Sequence, residues 1–239
     1  MSFTSLLALA LAAVSVAGQS LNVVNNCGES LFLFTQTSFG TIDTNVIVNA
    51  GTTTSLGISS NWDGAVNVGT GCDSTGQTCT TGGPAWDGTT PMSRAEFNFF
   101  AIPGQVTYDI SLIYGFNVGM EISTGDSSCF AFSCGSALPA GCPVPGPAGP
   151  QGNTCFSPCC SSAAACAGGA LPAGGGGCVD NAGPGPQSPY YDATCPNAYA
   201  FPDNDGAAGF TPADEVDFTC DNTAVVLTLC PSGSSDFPK

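Results

Sequence analysis

The sequence predicts a mainly β fold, an antiparallel β-sandwich into which a disulfide-rich loop region is inserted. Short runs of Val, Ile, Phe and Thr, broken by Gly, Asn, Asp and Pro, fill residues 21–123 and return after residue 195. The segment between them is rich in Cys, Gly, Pro and Ala and has little with which to build a core, so it depends on disulfides for its shape. Because strand-like sequence lies on both sides, we interpret this segment as an insertion from the sandwich.

The strand-like runs have the length and turn boundaries of ordinary β-strands. They lie at residues 21–25, 31–35, 45–48, 52–57, 96–100, 107–113, 117–123, 216–220 and 224–230. The segment RAEFNFFAIPGQVTYDISLI predicts a hairpin, because two runs flank the turn-forming Pro103 and Gly104. In its first strand Arg94, Glu96 and Asn98 share one face, since side chains of a strand alternate with a period of two. One short helix is expected within residues 163–170, and the stretch GPAGPQG is expected to be a loop.

The start of the chain has the pattern of a signal peptide, with a polar beginning, an apolar run over residues 6–16 and small residues at Ser15 and Ala17. The apolar run is shorter than the about 20 residues that span a bilayer as a helix, so no membrane anchor is expected. We therefore expect a secreted, soluble mature protein. The expected divisions are a signal peptide at 1–17 and a domain at 18–239, with core strands in 18–128 and 196–231 and the Cys-rich loop region at 129–195.

The composition excludes several classes of function. Two cations, Arg94 and Lys239, face eighteen Asp and Glu residues, and the net charge of −16 repels nucleic acid and anionic membranes. The absence of histidine excludes a Ser-His-Asp triad, a His-assisted thiol and a His-containing zinc site. No metal and no cofactor are expected, and the fourteen cysteines are interpreted as disulfides. Catalysis would have to use carboxylates, tyrosines or hydroxyls, and a neutral polysaccharide remains a compatible partner.

Several motifs follow one another in the order known from one family. They are VVNNC, AEFNF, YDISLIYGFNVGMEIS, CFSPC, CPNAYAF and a last cysteine near the C-terminus. On these residues the chain resembles the thaumatin-like proteins, the pathogenesis-related group 5 type, over nearly all of the mature sequence. CTTGG resembles the family signature CxTGDC, with Gly83 at the Asp position and Pro84 at the next cysteine. The family commonly has sixteen cysteines. Loss of the disulfide that uses the signature's last cysteine leaves fourteen cysteines, the number in this chain.

The resemblance implies a flattened antiparallel β-sandwich with a disulfide-rich loop domain and a small hairpin domain. It also implies five disulfide pairs, which are Cys27 with Cys230, Cys72 with Cys79, Cys129 with Cys220, Cys134 with Cys195, and Cys142 with Cys155. The remaining four cysteines, Cys159, Cys160, Cys166 and Cys178, form two more bridges. A bond between the adjacent Cys159 and Cys160 would be strained, so each is expected to pair with Cys166 or Cys178.

The resemblance further implies a cleft, acidic in many members, that is associated with β-1,3-glucan binding and in some members with weak endo-glucanase activity. Glu96 matches the cleft Glu and Asp109 its first Asp, and these two are the expected catalytic residues. Glu96, flanked by Phe97 and Phe99, is the expected acid, and Asp109 the base or the stabiliser of positive charge.

Other positions of the family's cleft pattern differ in this chain. Gly69 stands at the Arg position and Tyr114 at the second Asp position, and the third Asp is Asp203 or Asp205. The expected substrate-binding residues are Tyr114, Arg94, Asp203 and Asp205, with Arg94 as a replacement for the missing cation and Tyr114 stacking on a sugar ring. For Trp62 and Trp86 a structural role is favoured over sugar stacking.

The leading hypothesis is a secreted monomer whose acidic cleft binds β-1,3-glucan, outside the cell or at its wall. Hydrolysis through Glu96 and Asp109 is left open. In the opposing interpretation Glu96 only pairs with Arg94, and the other carboxylates form a solvated acidic surface. The alternative function is a non-enzymatic defence or wall-associated protein whose cleft has drifted.

Overall fold

The computed structural model describes residues 19–135, 140–166, 178–221 and 223–232, and the predicted signal peptide lies outside them. Fourteen strands form three sheets in this part of the chain. The strands are β1 (Ser20–Asn25), β2 (Leu31–Phe39), β3 (Val46–Val48), β4 (Thr53–Leu56), β5 (Asp63–Gly69), β6 (Arg94–Asn98), β7 (Gln105–Ser111), β8 (Gly115–Phe116), β9 (Met120–Thr124), β10 (Phe132–Cys134), β11 (Pro145–Gly149), β12 (Gly152–Phe156), β13 (Phe218–Asp221) and β14 (Ala224–Leu229). Two short helices are α1 (Ala163–Cys166) and α2 (Ser188–Thr194).

The predicted hairpin is β6 and β7, and it occupies the middle of a six-stranded antiparallel sheet with the order β13-β7-β6-β5-β2-β3. Its turn is closed by the N–H of Gln105, which donates to the carbonyl of Ile102 at 3.0 Å. Gly104 has a φ of 80°, which glycine adopts without steric cost. The turn therefore fixes the register of the two strands that carry the predicted site.

A five-stranded sheet with the order β10-β9-β14-β1-β4 forms the other layer. Its pairs are antiparallel except for β1 and β14, which run parallel. In β14 the buried Val225, Leu227 and Leu229 alternate with less buried residues, as expected for a strand with one face on the core. Strand β10 lies within the range predicted for the loop region, so strands of the sandwich extend past residue 128.

The buried faces of the two large sheets share one hydrophobic core. Leu21 and Leu227 from one sheet and Leu33, Val66 and Ile110 from the other belong to the same buried cluster. The fold is therefore mainly β and a sandwich, as predicted. Strand β5 is absent from the predicted strands because five consecutive residues at its end, 65–69, are buried, which removes the alternation that marks a half-exposed strand.

The loop region contains more regular structure than the sequence predicts. The stretch GPAGPQG, expected to be a loop, contributes to the β11–β12 hairpin, and β12 also pairs with β8. The predicted short helix begins at Ala163 and is described to Cys166, and its remainder lies outside the described residues. Helix α2 was not predicted. Pro189 stands in its first turn, and the side chain of its Tyr191 is buried.

Seven disulfides connect the fourteen cysteines. Five of them join the same cysteines that the resemblance pairs. The other two are Cys159–Cys178 and Cys160–Cys166, so the adjacent cysteines do not bond to each other. The loop region has a small hydrophobic cluster of its own. Three of its five buried residues are cysteines; the members are Val144, Phe156, Cys159, Cys160 and Cys166. Among the described residues no helix is long and apolar enough to cross a membrane.

We expect the Cys27–Cys230 disulfide to contribute most to stability, because its cysteines are 203 residues apart. Loop entropy assigns such a bridge about 5 kcal/mol as an upper value, and about 2.5 kcal/mol to Cys72–Cys79, whose separation is 7 residues. Urea unfolding of the two double Cys→Ser variants measures both contributions. Equal losses from the two variants would contradict this ranking.

Candidate functional site

The candidate site lies on the outer face of the six-stranded sheet, where polar side chains replace the apolar ones of the core face. Glu96 on β6 is the direct cross-strand partner of Asp109 on β7. Cross-strand partners in an antiparallel pair project to the same face with Cβ atoms about 5 Å apart. The hairpin register therefore places the two predicted carboxyl groups side by side.

Two cavities open on either side of this pair, and both are lined by Glu96 and Asp109. The first, of about 240 Å³, is also lined by Ser38, Asp63, Gly64, Arg94, Phe97, Asn98, Thr107 and Asp217. The second, of about 260 Å³, is also lined by Ile113, Asp180, Tyr199 and Pro202. Since they share the carboxyl pair, the two cavities form one acidic cleft with Glu96 and Asp109 at its middle.

Asp109 is the buried member of the pair, with only 9% of its surface exposed. Among the described residues its Oδ1 has no hydrogen-bond partner. Removal from water raises the pKa of Asp109 well above its ordinary value, the negative charges of Glu96 and Asp217 raise it further, and the Arg94 guanidinium opposes them. The carboxyl group of Asp109 therefore holds its proton to a higher pH than an ordinary aspartate does.

Glu96 forms an ion pair with an arginine. Its Oε1 lies 2.9 Å from a guanidinium nitrogen of Arg94, and its side chain is 35% exposed. Arg94 also donates to the amide oxygen of Gln36 at 2.5 Å, and Gln36 in turn donates to the carbonyl of Pro84. These contacts orient the only arginine of the chain toward Glu96.

The surroundings of the two carboxyl groups differ from those expected from the sequence. Glu96 was expected to be the acid because bulky Phe97 and Phe99 flank it along the strand. Both phenylalanines are buried in the core, on the opposite face, so they do not shield the Glu96 carboxylate from water. Asp109 has the surroundings of an acid, and Glu96 those of a base or nucleophile.

An arginine at position 69, as in the family pattern, would need the neighbouring atoms to shift. A Cβ at this position would lie 2.6 Å from Sγ of Cys72 and 2.7 Å from the ring of Phe34. The Cys72–Cys79 disulfide thus occupies the space that a side chain would need. Arg94, on the neighbouring strand, brings the cation to the carboxyl pair instead.

Tyr114 stands at the edge of the site rather than between the carboxylates. Its ring stacks on Trp86 with centroids 5.5 Å apart, and the guanidinium of Arg94 lies 5.8 Å from its centroid. Trp86 packs against the disulfide-rich cluster, and Trp62 is fully buried with its Nε1–H donating to Thr37. Trp62 is therefore structural, whereas Tyr114 supports the position of Arg94.

Neither of the two candidates for the third acid lines the cavities. Asp203 is buried, and its Oδ2 accepts a hydrogen bond from the backbone N–H of Asn181 at 2.8 Å, so it holds a loop together. Asp205 is exposed and its charge contributes to raising the pKa values of Tyr199 and Asp217. Asp205 thus acts on the cleft through its charge alone.

Sequence reasoning missed Tyr199 and Asp217. The hydroxyl of Tyr199 donates to Oδ2 of Asp217 at 2.6 Å, and the Tyr199 backbone is bound to the end of β7 through Ile110 and Leu112. Desolvation raises the pKa of both groups, although Asp217 as a residue is exposed. Asp217 precedes β13, whose Thr219 pairs with Thr107 on the cleft face, so alternation along that strand could have identified it.

We expect Asp109→Asn to be more stable than the wild type at pH 8 and to lose this advantage near pH 4. A raised carboxyl pKa in the folded state contributes stability that is complete below the unfolded pKa of about 4 and is lost as the pH rises through the folded pKa. Each unit of that shift corresponds to about 1.4 kcal/mol. Urea unfolding of both proteins at the two pH values measures the difference.

Asp192, whose pKa burial raises to about 7, titrates in both proteins and cancels in the comparison. A variant less stable than the wild type by the same amount at both pH values would show that folding does not raise the pKa of Asp109.

Comparison with known proteins agrees with this architecture. The model of the thaumatin family matches residues 25–231. Pathogenesis-related thaumatin-like protein 3.7 of Cryptomeria japonica is 27% identical over 150 residues, which are 63% of this chain and 54% of that relative, so the chain spans about half of its length. Thaumatin-like protein 1 of Castanea sativa is 27% identical over 229 residues, covering 88% of this chain and 90% of the relative.

Among solved structures, the thaumatin-like xylanase inhibitor TLXI aligns with a TM-score of 0.45 and 15% identity, covering 88% of this chain and 99% of that one. The family match extends over most of the sequence and includes both strands of the hairpin that carries Glu96 and Asp109. The chain belongs to the thaumatin family.

Proposed function

We propose that the acidic cleft binds β-1,3-glucan, a neutral polysaccharide. The observation that carries the proposal is the position of Glu96 and Asp109 at the junction of two cavities, because a polymer needs a site that is open on both sides. The carboxylates accept hydrogen bonds from sugar hydroxyls, and the protonated Asp109 can donate one. Oδ1 of Asp109, buried and without a protein partner, is satisfied by such a hydroxyl.

The charges of the cleft support a neutral ligand rather than an anionic one. Asp63, Asp180 and Asp217 line it together with the carboxyl pair. Its one cation, Arg94, already faces Glu96 and Gln36. An acidic polysaccharide would meet uncompensated negative charge along the whole cleft.

The relatives support an extracellular role in defence. The similar proteins of Cryptomeria japonica are named as pathogenesis-related, and seven disulfides are consistent with an extracellular location. A glucan-binding protein at the outside of the cell, or at its wall, fits both observations. In this proposal the protein is a monomer, and the polysaccharide is its partner.

Binding is expected to depend on the carboxyl pair. Glu96→Gln keeps the shape of the side chain but removes the charge, and the loss of one charge-assisted hydrogen bond weakens retention on insoluble β-1,3-glucan about tenfold. Glu29→Gln, the same change at an exposed position outside the cleft, is the matched control and retains wild-type binding. Sedimentation of each protein with the glucan measures the bound fraction, and equal retention of both variants would refute the assignment.

Weak hydrolysis is a second candidate, favoured by the unlike surroundings of the two carboxyl groups. The raised pKa of Asp109 favours a proton on this group for the glycosidic oxygen, and Glu96 is paired with Arg94. As the bond between that oxygen and the anomeric carbon breaks, a water activated by Glu96 adds to the carbon and transfers its proton to Glu96. In the non-enzymatic alternative the same groups bind glucan without turnover.

The release of reducing ends from linear β-1,3-glucan distinguishes turnover from binding. If the pair is catalytic, Asp109→Asn and Glu96→Gln each lower the rate about 100-fold or more, because each removes one proton-transfer group, while Glu29→Gln does not. Equal release by wild type and both cleft variants would eliminate the catalytic assignment and leave binding as the function.

A further inference from the structure

An aromatic pair stands beyond the acidic end of the cleft, exposed to solvent. Phe39 ends β2 and Phe100 follows β6, and their rings stack with centroids 4.3 Å apart. They are 45% and 52% exposed, although most large apolar side chains in the described part of the chain are buried. Exposed apolar patches beside a polar cleft mark binding sites more often than chance.

The pair is continuous with the cleft. Phe39 is the register partner of Asp63, and Asp63 is the partner of Asn98, and both of these polar residues line the cavity beside Glu96. Asn98 lies two residues from Glu96 on the same face, a distance of about 7 Å along the strand. The aromatic pair therefore lies next to the polar side chains that line this end of the cleft.

The position of Phe100 is fixed by the turn rather than left to a flexible loop. Oδ1 of Asn98 accepts hydrogen bonds from the backbone N–H groups of Phe100 at 2.8 Å and Ala101 at 2.7 Å. The preceding Phe99 is buried against Trp62, so the chain direction forces Phe100 outward. A site held in this way is organised before its ligand arrives.

We propose that Phe39 and Phe100 form a stacking platform for a sugar ring of the same glucan strand that occupies the acidic cleft. The inference rests on the proposed function and names a subsite of it. The apolar face of a pyranose ring packs on an aromatic ring, while its hydroxyls reach Asp63 and Ser38 at the cavity wall. A second copy of the chain is disfavoured as the occupant, because two aromatic side chains offer about 300–500 Å², below the roughly 800 Å² per partner of a stable interface.

The platform predicts a dependence of affinity on ligand length. Calorimetric titration with a β-1,3-linked trisaccharide and a hexasaccharide compares a ligand that fills the acidic middle with one long enough to reach the aromatic pair. Phe39→Ala and Phe100→Ala are expected to weaken hexasaccharide binding about threefold to tenfold and to leave trisaccharide binding unchanged. Phe100→Tyr keeps a ring and retains the wild-type affinity, whereas Phe100→Leu does not.

The matched control is Phe130→Ala, which removes a phenylalanine of similar exposure, 40%, that packs on Phe218 away from the cleft. Equal affinity of wild type and both alanine variants for the hexasaccharide would overturn the platform while leaving the glucan site intact. Weakening of both ligands alike would assign the two rings to the stability of the fold. A change in sedimentation with unchanged affinity would assign them to self-association, and no binding of either ligand by the wild type would refute the proposed function itself.

Discussion

The antiparallel register of β6 and β7 is the constraint on which the rest of the site depends. The turn closed between Ile102 and Gln105 sets it, and it places Glu96 opposite Asp109. The hairpin lies between β5 and β13, so the same pairing brings Asp63 to one end of the cleft and lets Asp217 approach from the other strand. A slip of one residue in β6 or β7 would turn the cleft side chains of that strand into the core, where Ala95, Phe97, Tyr108 and Ile110 now pack.

The division of charge within the pair follows from burial and from a single cation. Asp109 is nearly enclosed and has negative neighbours, whereas Glu96 reaches solvent and contacts Arg94. An arginine at position 69 would need the sulfur of Cys72 and the ring of Phe34 to shift. In this chain the cleft receives its positive charge from Arg94 on β6 instead.

Much of the fold could be predicted from the sequence, since strand alternation and the cysteines are local signals. The site could be predicted only in part. Glu96 and Asp109 follow from the hairpin register, but the raised pKa of Asp109 depends on its burial and on the charge of Asp217, which lies far from it in the sequence. Strand β5 and helix α2 escaped prediction for related reasons, because a strand covered on both faces loses its alternation and a helix of seven residues has little periodicity.

We infer that Asp109 keeps its proton at a pH at which an ordinary aspartate has lost it, and that this proton faces the ligand. A ¹³C NMR titration of the Asp109 carboxyl carbon, assigned by comparison with Asp109→Asn, tests it most directly. The account predicts a midpoint well above the ordinary value of 3.8 and a shift of the same resonance when a β-1,3-glucan oligosaccharide is added. A midpoint near 3.8 with no response to the oligosaccharide would contradict it.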